Sequence, residues 1–557
     1  MNTIRIYIAN DGDSLRSIAD KSGIKINEIL LLNPDIPSPD LGVAGKAIKL
    51  PSSQRPDTVL NSIPLCSPIH PSEYLHQWIT LTSLEEMEQA SYDVLIVGTG
   101  AGGGSVLRRL CERWRNTNKR IGIVETGDLI LPTHARNIAT MDSTRLNNFF
   151  GTVSDPIGNE LPMFSGARVV NALGGKTIFW GLVTPRLPVS DLLHWPVPIE
   201  EMDYYYRLAE QAMDITNAYF KGSAIQSILL ERLRKGGYYE AMNFPLAVDM
   251  QPLKDGEIHS NVNWSSINFL AYALFRKRFD LAIRAQAAQI LIENGKAAGV
   301  KVISREKKTY HLKAKTVVLS AGTLASTRIL LNSGIKGGAI GHYLVDHSCL
   351  SAVGKLDRRE IPEKVGTLGI IIPQAEARPY QIQIGGPFGL QGDYFWHQPY
   401  QEKPMLEEEL LVGFSGYGVV EARYENMIYL DPTRKDEYGI PKIQVNYSYS
   451  DKDKEIIHQM YTAIEKTSAI LNTPIDMKNG LPKICMNPPG SDFHEAGTCR
   501  MGDDPLTSSA NRYGQIHNVP GLFVADNSLL PSIGGVNPTL TTVAMAIRTA
   551  DYIASEH

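Results

Sequence analysis

Between Tyr92 and Glu125 an apolar strand runs into a glycine-rich turn, then a helix, then a second strand, and few folds accommodate that order. Tyr92-Asp93-Val94-Leu95-Ile96-Val97 is rich in β-branched residues, the texture of a parallel strand buried on both faces. It leads into Gly98-Thr99-Gly100-Ala101-Gly102-Gly103, which fits G-x-G-x-x-G. Val106, Leu107, Leu110 and Trp114 then recur at three- and four-residue steps, marking one apolar helix face. A second strand, Ile121 to Val124, ends at Glu125, 27 positions after Gly98. Gly98 permits the tight turn, Gly100 lets the backbone approach a pyrophosphate, and Gly103 allows close helix–strand packing. The helix N-terminus offers free N–H groups and partial positive charge to phosphates. Glu125 can accept hydrogen bonds from ribose hydroxyls, and its charge opposes a 2′-phosphate, which argues against NADP. A glycine-rich turn alone is often merely a turn. Here the flanking strand, helix and acidic residue agree on dinucleotide binding, and the motif does not separate FAD from NAD.

A chain of 557 residues suggests two to four folding units. Its net charge of −4, with both signs spread along the chain, supplies no field for nucleic acid or an anionic membrane, so neither partner is expected. The start, MNTIRIYIANDGDSL, lacks a basic region followed by an apolar run, so no export signal is expected. No stretch offers the roughly 18 to 20 apolar residues of a spanning helix. The five cysteines (Cys66, Cys111, Cys349, Cys485, Cys499) form no CxxC pair and no disulfide framework. A reducing cytoplasm and no metal ligands are the expectation.

Residues 1–52 read as a separate βααβ module. The strand IRIYIA precedes a polar turn and SLRSIADKSG, with Leu15, Ile18 and Ala19 at helical spacing before Gly23. A second helix spans Ile26 to Leu32, and AIKLP returns as a strand. GDSLRSIA, LNP and IKLP in this order resemble a LysM module, which implies a glycan polymer as ligand; a protein-docking or solubilising appendage is the other reading. Prolines at 51, 56, 64, 68 and 71 mark a loosely packed linker over 53–90.

Three further segments carry chemistry. NALGGKTIFWGLVTPRLP (171–188) sets Gly174 and Gly175 beside Phe179 and Trp180. TVVLSAGTLASTRILLNSG (316–334) is a strand, a small-residue turn and a helix. SDFHEAGTCRMG (491–502) precedes GLFVADNSLLPSIGGVNPTLTTVAMAIRTADYI (521–553), a strand, a loop and a long amphipathic helix. With GHYLVDH (341–347), EYGIPKIQVNY (437–447) and HWPVPIEEMDYYYRLAE (194–210), these resemble the glucose–methanol–choline (GMC) oxidoreductases over about five-sixths of the chain. The resemblance implies FAD and an α/β fold: a Rossmann-like FAD-binding domain over 91–190, 250–345 and 485–557, with an inserted α+β substrate domain over 191–249 and 346–484.

Carried over by position, Gly98, Gly100, Gly103 and Glu125 would hold the ADP half of FAD. Gly174, Gly175, Thr177 and Trp180 would lie against the flavin, and Ala287 near the adenine. Ala321 and Gly322 would line the nucleotide, Asp526 the pyrophosphate–ribitol stretch, and Asn537, Pro538 and Thr539 the ring. The resemblance makes His494, in H-x-x-G-T, the general base and Asn537 its polar partner, orienting the substrate oxygen. The other histidines, including His194, His347 and His458, read as surface or structural, and Glu495 as a solvated neighbour. Asn537 before Pro538 also suits an Asx turn. The GG-x-x-x-x-W-G-x-x-TPR run is nearest the pyranose-oxidising branch, where a histidine before the tryptophan can bind FAD covalently. Phe179 stands there, so FAD is expected to be noncovalent. Aromatic residues over 392–434 (Tyr394, Phe395, Trp396, Tyr400, Phe414, Tyr417) suit sugar stacking or ordinary core. The implied reaction is oxidation of an alcohol, a carbohydrate or glycoside being favoured, with oxygen or another electron acceptor. Oxidation of a secondary-metabolite alcohol, or an FAD-containing lyase, are the alternatives.

Overall fold

The computed structural model describes residues 4–52, 79–138, 140–141, 143–157, 164–250, 262–362, 365–388 and 408–556. The chain divides into two compact units, Met1–Trp78 and Ile79–His557. Most of the linker expected over 53–90 lies outside the described residues.

In the first unit, strand β1 (Ile4–Ile8), helices α1 (Leu15–Ser22) and α2 (Ile26–Leu32), and strand β2 (Ala47–Pro51) follow one another. Strands β1 and β2 pair antiparallel, Ile4 opposite Pro51 and Ile8 opposite Ala47. A capping box starts α1, in which the Ser14 hydroxyl accepts from the Ser17 N–H and Ser17 reaches back to Ser14. Gly23, at φ 66°, ends it in the left-handed conformation. Leu15, Ile18, Ile29, Ile36, Ile48 and Leu50 form the small core. Asn33 ties α2 to β2 by exchanging hydrogen bonds with the Lys49 backbone.

The second unit has two principal sheets. The first begins with β3 (Ser91–Val97), followed by helix α3 (Ala101–Arg113) and strand β4 (Ile121–Val124), which lies parallel to β3. Strand β5 (Asp280–Ala282) extends this edge in parallel beyond β4. Antiparallel strands β6 (Ala285–Glu293), β7 (Lys296–Ser304) and β8 (Thr309–Leu319) form the other edge. The long strand β8 has two pairings on one side. Its first half meets β7 antiparallel, and residues 317–319 meet Leu522–Val524 parallel. Its other side pairs in parallel with β3 along 313–319. The β3 core residues Val94, Leu95 and Ile96 are fully buried, as their apolar run requires. Helix α4 (Thr323–Asn332) leaves the C-terminal end of β8.

The second sheet is antiparallel. Its centre consists of β9 (Ser348–Asp357), β10 (Leu368–Ile372), β11 (Tyr380–Phe388) and β12 (Glu409–Gly418), in the order β9-β12-β11-β10. Along β12 the period-two pattern sends Leu410, Val412 and Phe414 into a core with helix α5 (Asp451–Leu471) and helix Ala224–Lys235. Gly413, Ser415 and Tyr417 alternate to the opposite face and line a large cavity. Of the aromatics singled out in the sequence, Phe414 is therefore core and Tyr417 faces the cavity; residues 392–400 lie outside the described residues. Among the described residues no helix is long and apolar enough to cross a membrane.

Candidate active site

The cavity occupies about 1410 Å³, more than the roughly 300–1,000 Å³ of an ordinary small-molecule pocket. One end is the glycine loop between β3 and α3. Gly98 stands at φ 96°, and a Cβ there would lie 2.5 Å from the Ser320 carbonyl oxygen. A Cβ on Gly103 would come within 1.9 Å of the Gly98 carbonyl, so helix and strand touch through missing side chains. Gly102, which the motif leaves variable, is equally constrained, 1.7 Å from the Ala525 carbonyl. Gly100, the N-cap of α3, differs: nothing lies within 4 Å of its Cβ position, and it lines the cavity. The first-turn N–H groups of an uncapped helix start there.

Glu125, at the end of β4, is buried and already engaged by the loop itself. One carboxylate oxygen accepts from the Thr99 N–H and hydroxyl (2.9 and 2.6 Å), the other from the Gly127 N–H at 2.9 Å. Burial pushes its carboxyl above the ordinary range against these donors. The Thr99 hydroxyl in turn accepts from the Gly174 N–H at 2.8 Å, tying the two glycine loops together. Gly174 and Gly175 take positive φ (91° and 55°), and a 3-10 turn follows over Gly175–Ile178. The Thr177 hydroxyl donates to the Gly174 carbonyl and accepts from the Ser266 N–H. Trp180 lines the cavity and anchors its indole N–H on the Trp264 carbonyl at 3.0 Å.

Ala287 borders the cavity where β6 breaks register against β7 between Ala287 and Gln289. Ala321 and Gly322 lie at the start of α4, Gly322 at φ 87°. The Gly322 N–H and the Ser326 hydroxyl both donate to Asp526 (2.9 and 2.5 Å), whose other oxygen takes the Ser528 N–H and hydroxyl. Burial raises the Asp526 carboxyl. Pro538 and Thr539 lead from this loop into helix Thr539–Glu556, and Thr539 lines the cavity.

At the far wall, His494 and Asn537 come together: His494 Nε2 and Asn537 Nδ2 are 3.4 Å apart. Asn537 is held from the antiparallel sheet, its Oδ1 accepting from Gln381 Nε2 at 3.1 Å and Gln383 Nε2 at 2.6 Å. Neither glutamine is singled out by the sequence, because a strand's polar face looks alike whether it meets water or a site. Glu495 is not a solvated neighbour. It is 3% exposed and takes both bonds of the Lys176 ammonium (3.1 and 2.9 Å), since the Lys176 loop folds across it. His347, read as surface or structural, is fully buried, with its ring 5.0 Å from that of His494. Burial, then the charge of His494, pushes its pKa down to about 4. Ligand-type atoms of His347, Asp492 and His494 lie within 4.8 Å of one another. Proximity in sequence could have flagged Asp492 beside His494 and Asp346 beside His347; their convergence across 146 positions could not.

One cavity thus runs from the N-terminus of α3 to the His494–Asn537 imidazole–amide pair. Comparison with known proteins identifies the family. The chain is 27% identical over 410 residues to a C-glycoside 3-oxidase of Arthrobacter globiformis, covering 70% of this chain and 75% of that protein. It is 25% identical over 549 residues to a 2-methyl-1,2-propanediol dehydrogenase of Mycolicibacterium austroafricanum (83% and 95%), and 22% identical over 426 residues to a pyranose 2-oxidase of Tricholoma matsutake (70% and 74%). The solved structure of pyridoxine 4-oxidase from Mesorbium loti superposes with a TM-score of 0.61 at 15% identity, over 84% of this chain and all of that one, and shares the fold. Residues 92–349 and 422–546 match the two halves of one family, and together with the architecture they establish that this chain belongs to the GMC oxidoreductases.

Proposed function

We propose that this oxidoreductase uses noncovalent FAD to convert an alcohol to a carbonyl, with a carbohydrate or glycoside as the substrate class. The observation that carries the reading is the His494–Asn537 pair, 3.4 Å apart on the wall of the cavity that begins at the glycine loop. FAD, when bound, supplies the two-electron acceptor for the carbon-bound hydride. The protein's part is the proton and the position. His494 Nε2 takes the hydroxyl proton, and the Asn537 amide donates to the same oxygen, supporting charge as the carbonyl forms.

The residues present fit the cofactor. Open space at Gly100 admits a pyrophosphate against the first turn of α3, and the Rossmann-like arrangement of β3, α3 and β4 aims that turn at the cavity. Phe179 stands where a covalent link would need a histidine. In this reading residues 91–190, 250–345 and 485–557 bind FAD, and 191–249 with 346–484 face the substrate. The sugar assignment draws on relatives whose names specify C-glycosides and pyranoses; oxidase and dehydrogenase names occur together among them, in keeping with oxygen or another electron acceptor. For the N-terminal unit, the βααβ order favours a LysM-like module with a glycan or protein ligand.

Anaerobic addition of sugars, glycosides and simple alcohols, followed by the visible spectrum, tests the reading. Bleaching of a flavin band by the sugar class is the expected result. Turnover without bleaching would make the protein a lyase, and failure to take up FAD would refute the proposal.

A further inference from the structure

Two buried aspartates that the reading above leaves unused converge behind His494. Asp492 and His494 belong to one loop, with Phe493 between them held at φ 61°, a conformation that costs a residue other than glycine roughly 1–2 kcal/mol. That turn sets Asp492 Oδ2 opposite His494 Nδ1 at 3.6 Å, with side chains only 6% and 14% exposed. Neither atom has a hydrogen-bond partner among the described residues, so each is left facing the other. Asp346, fully buried beside Asp492, takes the Gly490 N–H on its Oδ2 at 2.7 Å, while its Oδ1 has no hydrogen-bond partner among the described residues.

Two neighbouring, buried carboxyls disfavour each other's ionisation, so one of them holds its proton. Burial, then the charges of Asp492 and Glu495, pushes the Asp346 carboxyl well up. Burial works against Asp492 as well, but the imidazoles of His494 and His347 that face it hold it below the ordinary range. The remaining titratable groups here leave that division standing. Glu495 is bridged to Lys176, while burial keeps Cys349, Tyr417, Tyr447 and Tyr449 protonated.

We propose that Asp492 is the positioning carboxylate that fixes the tautomer of His494, and that Asp346 is its neutral, proton-holding support. This rests on His494 being the base. A carboxylate accepts only, so the imidazole proton must sit on Nδ1. Nε2 is then bare, and Asn537 must turn its NH₂ toward it. Asn537 Oδ1 therefore faces away, where the Nε2 groups of Gln381 and Gln383 donate to it. One charge at Asp492 accounts for the orientation of four side chains and leaves Nε2 free to accept the substrate's proton.

The assignment predicts opposite behaviour from two like substitutions. In Asp346→Asn the new amide NH₂ donates to Asp492 and its oxygen accepts from Gly490, replacing a neutral acid group for group. In Asp492→Asn the amide oxygen meets the Asp346 hydroxyl, so its NH₂ faces His494 Nδ1 and drives the imidazole proton to Nε2. The experiment is ¹⁵N NMR of the full chain labelled at histidine, in EDTA, with His494 assigned by its absence in His494→Gln. Wild type and Asp346→Asn should show the proton on Nδ1, and Asp492→Asn should show it on Nε2. Should Asp492→Asn not fold, Asp492→Ala carries the test, and its Nδ1–H form must fall to a minority. An unchanged tautomer without the Asp492 carboxylate, or one lost in Asp346→Asn, would overturn the assignment, as would a wild-type shift on removing EDTA and adding Zn²⁺ at one equivalent, which would make the cluster a metal centre. The readout needs neither substrate nor turnover, so its failure is separate from failure of the alcohol-oxidising reading.

Discussion

Acid should destabilise this protein through His347 in a way that one substitution removes. The ring is fully buried, and its pKa of about 4 in the folded chain compares with 6.5 in the unfolded one. Burial is the first cause and the neighbouring His494 the second; Asp492 and the carbonyls of Val536 and Gly418 offset them in part. Between those two pH values the unfolded chain holds a proton at this site that the folded chain does not. Stability must therefore be complete above pH 6.5 and fall as pH drops toward 4, at up to about 1.4 kcal/mol per pH unit. Over the interval the loss is roughly 3 kcal/mol, a large share of the 5–15 kcal/mol typical of a domain. Asp346 acts in the opposite sense, since its raised pKa contributes stability at low pH that is lost as pH rises through the folded-state value. Guanidinium unfolding followed by tryptophan fluorescence from pH 7.5 to 4.5 measures the sum, and His347→Gln isolates the histidine. The variant need not match wild type in absolute stability, because the slope decides. Parallel profiles for the two proteins would refute the reasoning.

The glycine loop separates packing from ligand contact. Gly102→Ala brings a methyl group to within 1.7 Å of the Ala525 carbonyl and should cost more than about 3 kcal/mol in thermal or denaturant unfolding. Gly100→Ala meets nothing within 4 Å, so it should fold normally and show a weakening of tenfold or more only in an FAD titration. Gln383→Met removes the 2.6 Å donor to Asn537 while Gln381 remains, which should slow anaerobic flavin reduction by about ten- to a hundredfold, or 1.4–2.7 kcal/mol, with FAD content unchanged.

Much of the glycine-loop end was legible in the sequence because its constraints are local. Strand, turn and helix follow one another within 36 residues, and missing side chains are visible as glycines. The strand–helix–helix–strand order of the N-terminal unit was legible for the same reason, its apolar helix positions, Gly23 and closing strand lying within fifty residues. The far wall was only half legible. His494 and Asn537 could be named from motifs, but Asp346, His347, Gln381 and Gln383 reach them from other strands and loops. The alternation along a strand gives a polar face without saying what that face meets. Glu495 was misjudged because its exposure depends on Lys176, more than 300 positions away. The pairing of residues 317–319 with 522–524 has no local signature at all.

That last pairing governs when the molecule can become itself. The central strand β8 has a complete neighbour on its β3 side early in synthesis, but its other side stays half-open until residues 522–524 emerge some two hundred positions later. The same late segment supplies the Ala525 carbonyl against which Gly102 packs, and Asp526, which grips Gly322. A ribosome-bound chain that already carries its glycine motif therefore holds an unfinished cradle, with an exposed strand edge open to the wrong partner. Folding of the second unit is a closure of distant ends, slow by its topology, and ligand binding belongs after that closure.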